Sequence, residues 1–271
     1  MNLIKKIANT LFRSPTKFKT YKNYHHAMQE ATQFGYEDHE LVEVVFQKTK
    51  LYQQRLQQQE HSEIDFKTAN LLVAILSIQK AQVNVFDLGG ACGAHYFEVR
   101  KLLPPNIKLQ WTVVETPIMA RRAGELKNGE LSFSDDLIKV SKQIGKIDLL
   151  HTSGTLQCVD DPIHYLKQII ATDASYLLFN RMSFTLQNAP ITILHESFLW
   201  EHGIGKFSDN TAYQKILKYP YSYIPQQNFD EVMASSHYQL LLEFKDESGS
   251  SYINDAEIIG KGLLFKQKGS I

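Results

Sequence analysis

Between Val83 and Leu103 the chain passes from one hydrophobic period to another. Val83, Val85, Phe86 and Leu88 make a short run of β-branched and aromatic character, as a fully buried parallel strand does, with Asp87 inside it and Gly89-Gly90 closing it. Beyond Gly93 the apolar residues Tyr96, Phe97, Val99, Leu102 and Leu103 fall at helical spacing until Pro104-Pro105 ends the pattern. Gly89 and Gly90 give the backbone the freedom to turn, and Gly93 lets the helix start close to the strand or to a ligand. Strand, glycine turn and helix predict the opening of a nucleotide-binding α/β unit, in which small ligands sit beyond the carboxyl ends of the strands.

The alternation continues toward the C-terminus. Lys108 to Glu115, Leu131 to Ser134, Ile147 to His151 and Ser175 to Asn180 read as four further strands. Tyr238 to Phe244 and Ile258 to Phe265 are two more, with a polar Ser/Gly-rich loop expected over Asp246 to Asp255; with no helix between them they predict an antiparallel final pair. From Arg181 to His237 the regular pattern lapses into a long segment rich in His, aromatic residues and Pro, the composition of a lid or binding loop. Upstream, residues 23 to 60 read as helices, with Tyr24, Ala27, Met28 and Ala31 on one stripe, Leu41, Val44, Val45, Leu51, Tyr52 and Leu56 on another, and Asp38 as a cap. A third helix from about Asp65 is apolar nearly all round and is expected to be buried. Leu3, Ile4, Ile7, Ala8, Leu11 and Phe12, with Lys5, Lys6 and Arg13 on other faces, predict a basic amphipathic helix that either docks on its own domain or lies on an anionic membrane surface. The expected organisation is a helical extension or lid over residues 1–80 and an α/β domain over 81–271, with a substrate-cap insertion at about 181–237.

The glycine spacing narrows the ligand. A dinucleotide fingerprint needs glycine at its first, third and sixth places; counted from Gly89 the third is Ala91, and counted from Gly90 it is Cys92. A phosphate loop needs Gly-Lys-Ser/Thr, and Gly93 is followed by Ala94-His95. By contrast D-L-G-G-A-C-G at Asp87 to Gly93 resembles the first motif of class I S-adenosylmethionine-dependent methyltransferases, with Ala91 where the middle glycine is expected. The whole chain is similar to a bacterial branch of methyltransferases that opens with a segment like Tyr24 to Leu41 and whose later segments look like WTVVETP, HTSGTLQCVDDP and KGLLF here. That resemblance implies a Rossmann-like seven-stranded sheet, mostly parallel with the last strand antiparallel, and S-adenosylmethionine as cofactor.

It also implies site residues. Asp87, Gly89, Gly90 and Gly93 form the cofactor turn, and Glu115, at the tip of the neighbouring strand, is similar to the acid that takes the ribose hydroxyls; read alone, Glu115 is equally a helix N-terminal charge ahead of Pro117. Asp135 or Asp136 matches the residue facing the adenine, unless Ser134 or Asp135 only caps the next helix. Ser153 and Gly154 match the turn where sulfonium and acceptor meet, and Gln157 is placed to offer an amide to substrate. Methyl transfer needs alignment, desolvation and sometimes a base, for which His195 is the nominee on a hydroxyl acceptor, with Glu196 as an orienting neighbour and Tyr221 as rival; all three also read as plain lid residues.

Composition removes other classes. Formal charge over 271 residues is zero, which leaves no electrostatic footprint for nucleic acid, although residues 1–29 hold six bases and no acid. Two cysteines at no metal spacing argue for a reducing compartment, and no apolar run spans a bilayer, so the cytoplasm is the expected location. His25-His26 and His39 have no metal-binding spacing, and no metal is expected. Acceptor hydroxyls of small molecules or glycans are the expected substrates; a non-catalytic cofactor-binding module and a nicotinamide-dependent oxidoreductase remain as alternatives.

Overall fold

The computed structural model describes residues 17–32, 35–58, 64–207 and 209–269, with residues 246–250 described by backbone alone. The basic helix expected over residues 1–13 lies outside the described residues. In chain order the elements are β1 (Thr20–Tyr21), α1 (Tyr24–Met28), α2 (His39–Gln58), α3 (Phe66–Ser77), β2 (Gln82–Leu88), α4 (Ala94–Leu102), β3 (Lys108–Val114), α5 (Pro117–Ala123), β4 (Leu131–Ser134), α6 (Leu137–Ile144), β5 (Leu149–Ser153), α7 (Pro162–Ala171), β6 (Tyr176–Thr185), β7 (Ile191–Phe198), β8 (Ile216–Pro225), α8 (Gln226–Ala234), β9 (Tyr238–Ile253) and β10 (Ala256–Gln267).

The main sheet runs β4-β3-β2-β5-β6-β10-β9. Its first five strands are parallel, and β10 is antiparallel to both neighbours. The order reverses between β2 and β5, so a crevice opens beyond the carboxyl ends of these two strands. One face of the sheet packs Phe86, Leu88, Leu150, Leu177 and Phe179 against Leu166 and Ile169 of α7 and Phe229 of α8. The other packs Val83, Val85, Leu109, Trp111 and Val113 against Leu71 and Ile75 of α3 and Val99 of α4. Each large apolar side chain fully buried in these layers stabilises by roughly 1.5–3 kcal/mol.

Three strands go beyond the seven that the resemblance implies. The segment from Arg181 expected to be irregular carries the end of β6, the hairpin β7–β8 and helix α8. A period of two was present in it: Pro220, Ser222 and Ile224 are buried, while Tyr219, Tyr221 and Tyr223 alternate on the other side. Pro220 obscured that signal, yet it is tolerated because β8 pairs along its length only with β7 and meets β6 only at Ile224 and Pro225. β6 outruns β5, which stops pairing at Asn180, and β8 takes up the vacated edge at Phe184 and Thr185. The Ser/Gly-rich loop expected over 246–255 is also a strand: β9 continues to Ile253, and Asn254, at φ +53°, makes the turn into β10.

Asp38 caps α2 as expected, its Oδ1 accepting from the N–H groups of Glu40 and Leu41 at 2.9 and 3.2 Å. Leu41, Val45 and Phe46 of this helix pack with Cys92, Met119, Leu199 and Leu217, which ties the N-terminal helices to the glycine turn and to the β7–β8 hairpin. α3 is less enclosed than its composition implies: Leu71, Ala74 and Ile75 are buried, but Val73 and Leu76 are exposed, because only one face meets the sheet.

Candidate functional site

β2 delivers the chain into a turn whose glycines answer to the protein's own packing. A Cβ on Gly89 (φ +72°) would lie 2.1 Å from Thr155 Oγ1, and one on Gly90 would lie 2.4 Å from Asp87 Oδ2. Gly93 opens α4 at φ +81° without a side-chain cap, so there the requirement is conformational. Ala91, in the place of the middle glycine, also adopts a left-handed φ of +51°. Its N–H donates to Glu115 Oε1 at 3.0 Å, and the N–H of Thr116 donates to Oε2 at 2.9 Å. Glu115 is half-buried; burial raises its pKa, and the two backbone N–H groups oppose the rise. Each carboxylate oxygen retains acceptor capacity beyond these bonds.

Asp87 is fully buried and both its oxygens are engaged. His151 Nδ1 donates to Oδ1 at 2.9 Å and His95 Nδ1 to Oδ2 at 3.0 Å. Burial alone would raise the Asp87 carboxyl, but the charge of His95, the field of His151 and both hydrogen bonds hold it well below the usual carboxylate range. Burial opposes charge on His95 too, and the adjacent Asp87 carboxylate outweighs it and raises that imidazole. Burial lowers His151, whose Nε2 accepts from Asn180 Nδ2 at 3.1 Å, leaving a neutral ring. Asn180 Oδ1 in turn accepts from Asn70 Nδ2 at 2.9 Å. The ligand atoms of Asp87, His95 and His151 lie within 4.8 Å of one another, a spacing a cation could occupy. Here each imidazole spends its Nδ1 proton on the carboxylate, so the cluster is a hydrogen-bonded strut between α4, β2, β5 and β6. Asp87 therefore braces the turn from beneath and presents no oxygen of its own to a ligand. His25, His26 and His39 are exposed on the surface.

Asp136 is the N-cap of α6, its Oδ1 accepting from Lys139 N–H at 2.9 Å. The capping alternative thus falls to Asp136, whereas Asp135 is exposed at the exit of β4. Ser153 ends β5 and is 6% exposed; Gly154 follows at φ +75°. Both lie beside Arg181, to which the sequence pattern assigned no role. Arg181 donates from Nε to Ser153 Oγ at 2.9 Å and from Nη2 to the Ser153 carbonyl at 2.7 Å. A Cβ on Gly154 would lie 3.2 Å from the guanidinium.

The wall of the crevice on this side is aromatic. His195 stacks on Tyr219 with ring centroids 5.1 Å apart and lies 6.0 Å from Tyr221, and Tyr36 lies 4.7 Å from Tyr219. Burial lowers the pKa of His195. Tyr221 donates to Ser183 Oγ at 3.2 Å, and burial raises its phenol. Glu196 does not orient His195: successive strand residues face opposite ways, and Glu196 pairs with Lys218 at 2.6 Å. Cys158, its thiol pushed up to about 12 by burial, lies in the turn after β5, with its carbonyl accepting from the Tyr24 hydroxyl at 3.2 Å. Three of the six buried side-chain polar atoms without a partner among the described residues, Thr116 Oγ1, Thr152 Oγ1 and Gln157 Oε1, occur at or just past the strand ends that bound this crevice.

No protein-family model matches the sequence, and no curated protein matches it either. Among solved structures, the chain is similar to the N-terminal domain of EvdMO1 with SAH bound (TM-score 0.47, 11% identity, covering 81% of this chain and 97% of that one). It is similar to CalS10, an amino pentose methyltransferase from Micromonospora echinaspora with SAM bound (TM-score 0.46, 10% identity, covering 77% and 100%). It is also similar to an S-adenosylmethionine-dependent methyltransferase from Clostridium acetobutylicum (TM-score 0.43, 13% identity, covering 76% and 94%).

Proposed function

We propose that this chain is an S-adenosylmethionine-dependent methyltransferase acting on a hydroxyl of a small molecule or glycan-type acceptor. The observation that carries the reading is the junction of Glu115 with the glycine turn, in which the acid at the tip of β3 is fixed by the Ala91 N–H at 3.0 Å and keeps acceptor capacity for a diol. The residues fit the cofactor: the turn is preformed, the acid beside it is half-buried, and unpartnered buried polar atoms gather at the strand ends. In this reading Glu115 holds the ribose hydroxyls, the amides of the turn from Gly89 to Gly93 line the methionine portion, Asp135 faces the adenine, and Ser153 and Gly154 border the reacting centre.

When bound, the cofactor supplies an electrophilic methyl group. An acceptor hydroxyl that took this methyl group would have to give up its proton to a base of the protein. His195 takes that proton, since its lowered pKa keeps the ring neutral at neutral pH. Tyr221, its phenol raised, stays protonated, and with its proton given to Ser183 Oγ its oxygen is left to accept a hydrogen bond. If His195 is the base, the acid limb of kcat against pH lies below the ordinary histidine value of about 6.5, and His195→Gln removes that limb. An unaltered profile in the variant excludes this role. The deciding experiment is calorimetry with S-adenosylmethionine and SAH, followed by methyl-release assays on hydroxyl acceptors. Binding without turnover favours the non-catalytic module, for which Ala91 in place of glycine is the motivating feature; absence of binding removes both readings.

A further inference from the structure

Arg181 sits in a backbone conformation that an L-residue avoids, at φ +51° within β6. The cause is a bulge. Lys261 of β10 faces Met182 and Leu263 faces Phe179, so Gly262 alone stands opposite Asn180 and Arg181. The distortion falls one residue past the last pair between β5 and β6 and turns the guanidinium back over the end of β5. There Ser153 accepts two of its donors, which fixes the plane of the fork. Among the described residues Nη1 has no bonded partner and no carboxylate lies within ion-pair distance, and Arg181 is exposed. A cation held rigidly by neutral groups and left without an anion is an oxyanion receptor in waiting.

A second observation points the same way. Gln157 is fully buried, donates Nε2 to the Arg181 carbonyl at 2.7 Å, and has no partner for its Oε1. The charge of Arg181 is felt at Tyr219, Tyr221 and Cys158, whose ionised forms it favours, so it borders the aromatic wall where an acceptor would lie.

Resting on the methyltransferase reading for the identity of the ligand as acceptor, we infer that Arg181 clamps a carboxylate or phosphate carried by the methyl acceptor. The acceptor is thus an anionic compound such as a sugar acid or sugar phosphate, and Arg181 sets that specificity.

The probes are inorganic phosphate and glucuronate, with glucose as the neutral control, titrated by calorimetry into protein saturated with SAH. Wild type is expected to bind both anions and to ignore glucose. Arg181→Gln is expected to weaken the anions by roughly tenfold or more, as loss of charge-assisted hydrogen bonds does, while SAH affinity stays unchanged. Arg181→Lys, which keeps the charge without the fork, is expected to fall between the two, and it carries the test if the Gln variant melts early. Equal anion binding by wild type and both variants, or none by wild type, overturns the inference. Loss of SAH affinity in Arg181→Gln also overturns it, because the cation would then serve the cofactor's own carboxylate. A wild type that takes phosphate at Arg181 but neither S-adenosylmethionine nor SAH supports the anion clamp and removes the methyltransferase reading instead.

Discussion

Glu115 has an observed structural task and, in the proposed reading, a second one at the ribose. Its carboxylate secures the turn through Ala91 N–H and has lone pairs left over. Glu115→Ala is expected to weaken SAH binding by about 1–3 kcal/mol, the usual loss for hydrogen bonds to a charged group. Calorimetry measures it, and an unchanged affinity removes the ribose assignment. A second single-residue effect is pH-dependent. Burial, with smaller effects from His195 and Lys48, lowers His202 to about 4, and its Nε2 lies 2.8 Å from Ser197 Oγ. Between that value and the unfolded value of about 6.5 the unfolded chain binds the extra proton, so stability is full above about pH 6.5 and is lost as pH falls toward 4. His202→Leu should flatten that part of the curve, read as the difference between variant and wild type in urea titrations at several pH values.

Among elements, the glycine turn was the most legible in sequence, because strand period, glycines and helical period each demand it independently. What sequence could not reveal was why each glycine is there. Gly89 and Gly90 are fixed by Thr155 and Asp87, contacts set by tertiary packing. Asp87 matched a cofactor motif yet turns inward to two histidines, because His151 and His95 reach it only after β5 and α4 are in place. Arg181 was invisible for a related reason: a bulge is a property of two strands, and nothing in Asn180-Arg181 by itself announces Gly262 opposite. The β7–β8 hairpin was legible in its period of two but was masked by proline and aromatic composition. The turn supplies its own prediction. Ala91 carries a left-handed φ that costs a non-glycine residue about 1–2 kcal/mol. Ala91→Gly is therefore expected to stabilise by about 1 kcal/mol after the added unfolded-state freedom is deducted. Urea denaturation checks it.

At the scale of the whole molecule, two apolar layers clasp a sheet whose reversal point defines the crevice. Phe229 of α8 links the layer on one face, meeting Phe179, Phe184 and Phe265 at ring distances of 5.3, 5.1 and 6.2 Å. Phe229→Ala should cost about 3–5 kcal/mol through lost burial and the remaining cavity. If the layers fold as one unit, fluorescence and circular dichroism will report a single shared transition at lower urea. The continuity of β6 carries a consequence for redesign. Because this strand belongs to the sheet and also pairs with β8 at Phe184 and Thr185, the aromatic wall is tied to the main sheet, and Thr192 and Ser222 join its two strands on the reverse side with a 2.9 Å hydrogen bond. In the proposed reading, retuning which compounds are accepted is therefore a matter of exchanging side chains on this wall, with Tyr219 and Tyr221 as the natural library positions and His195 kept as the base.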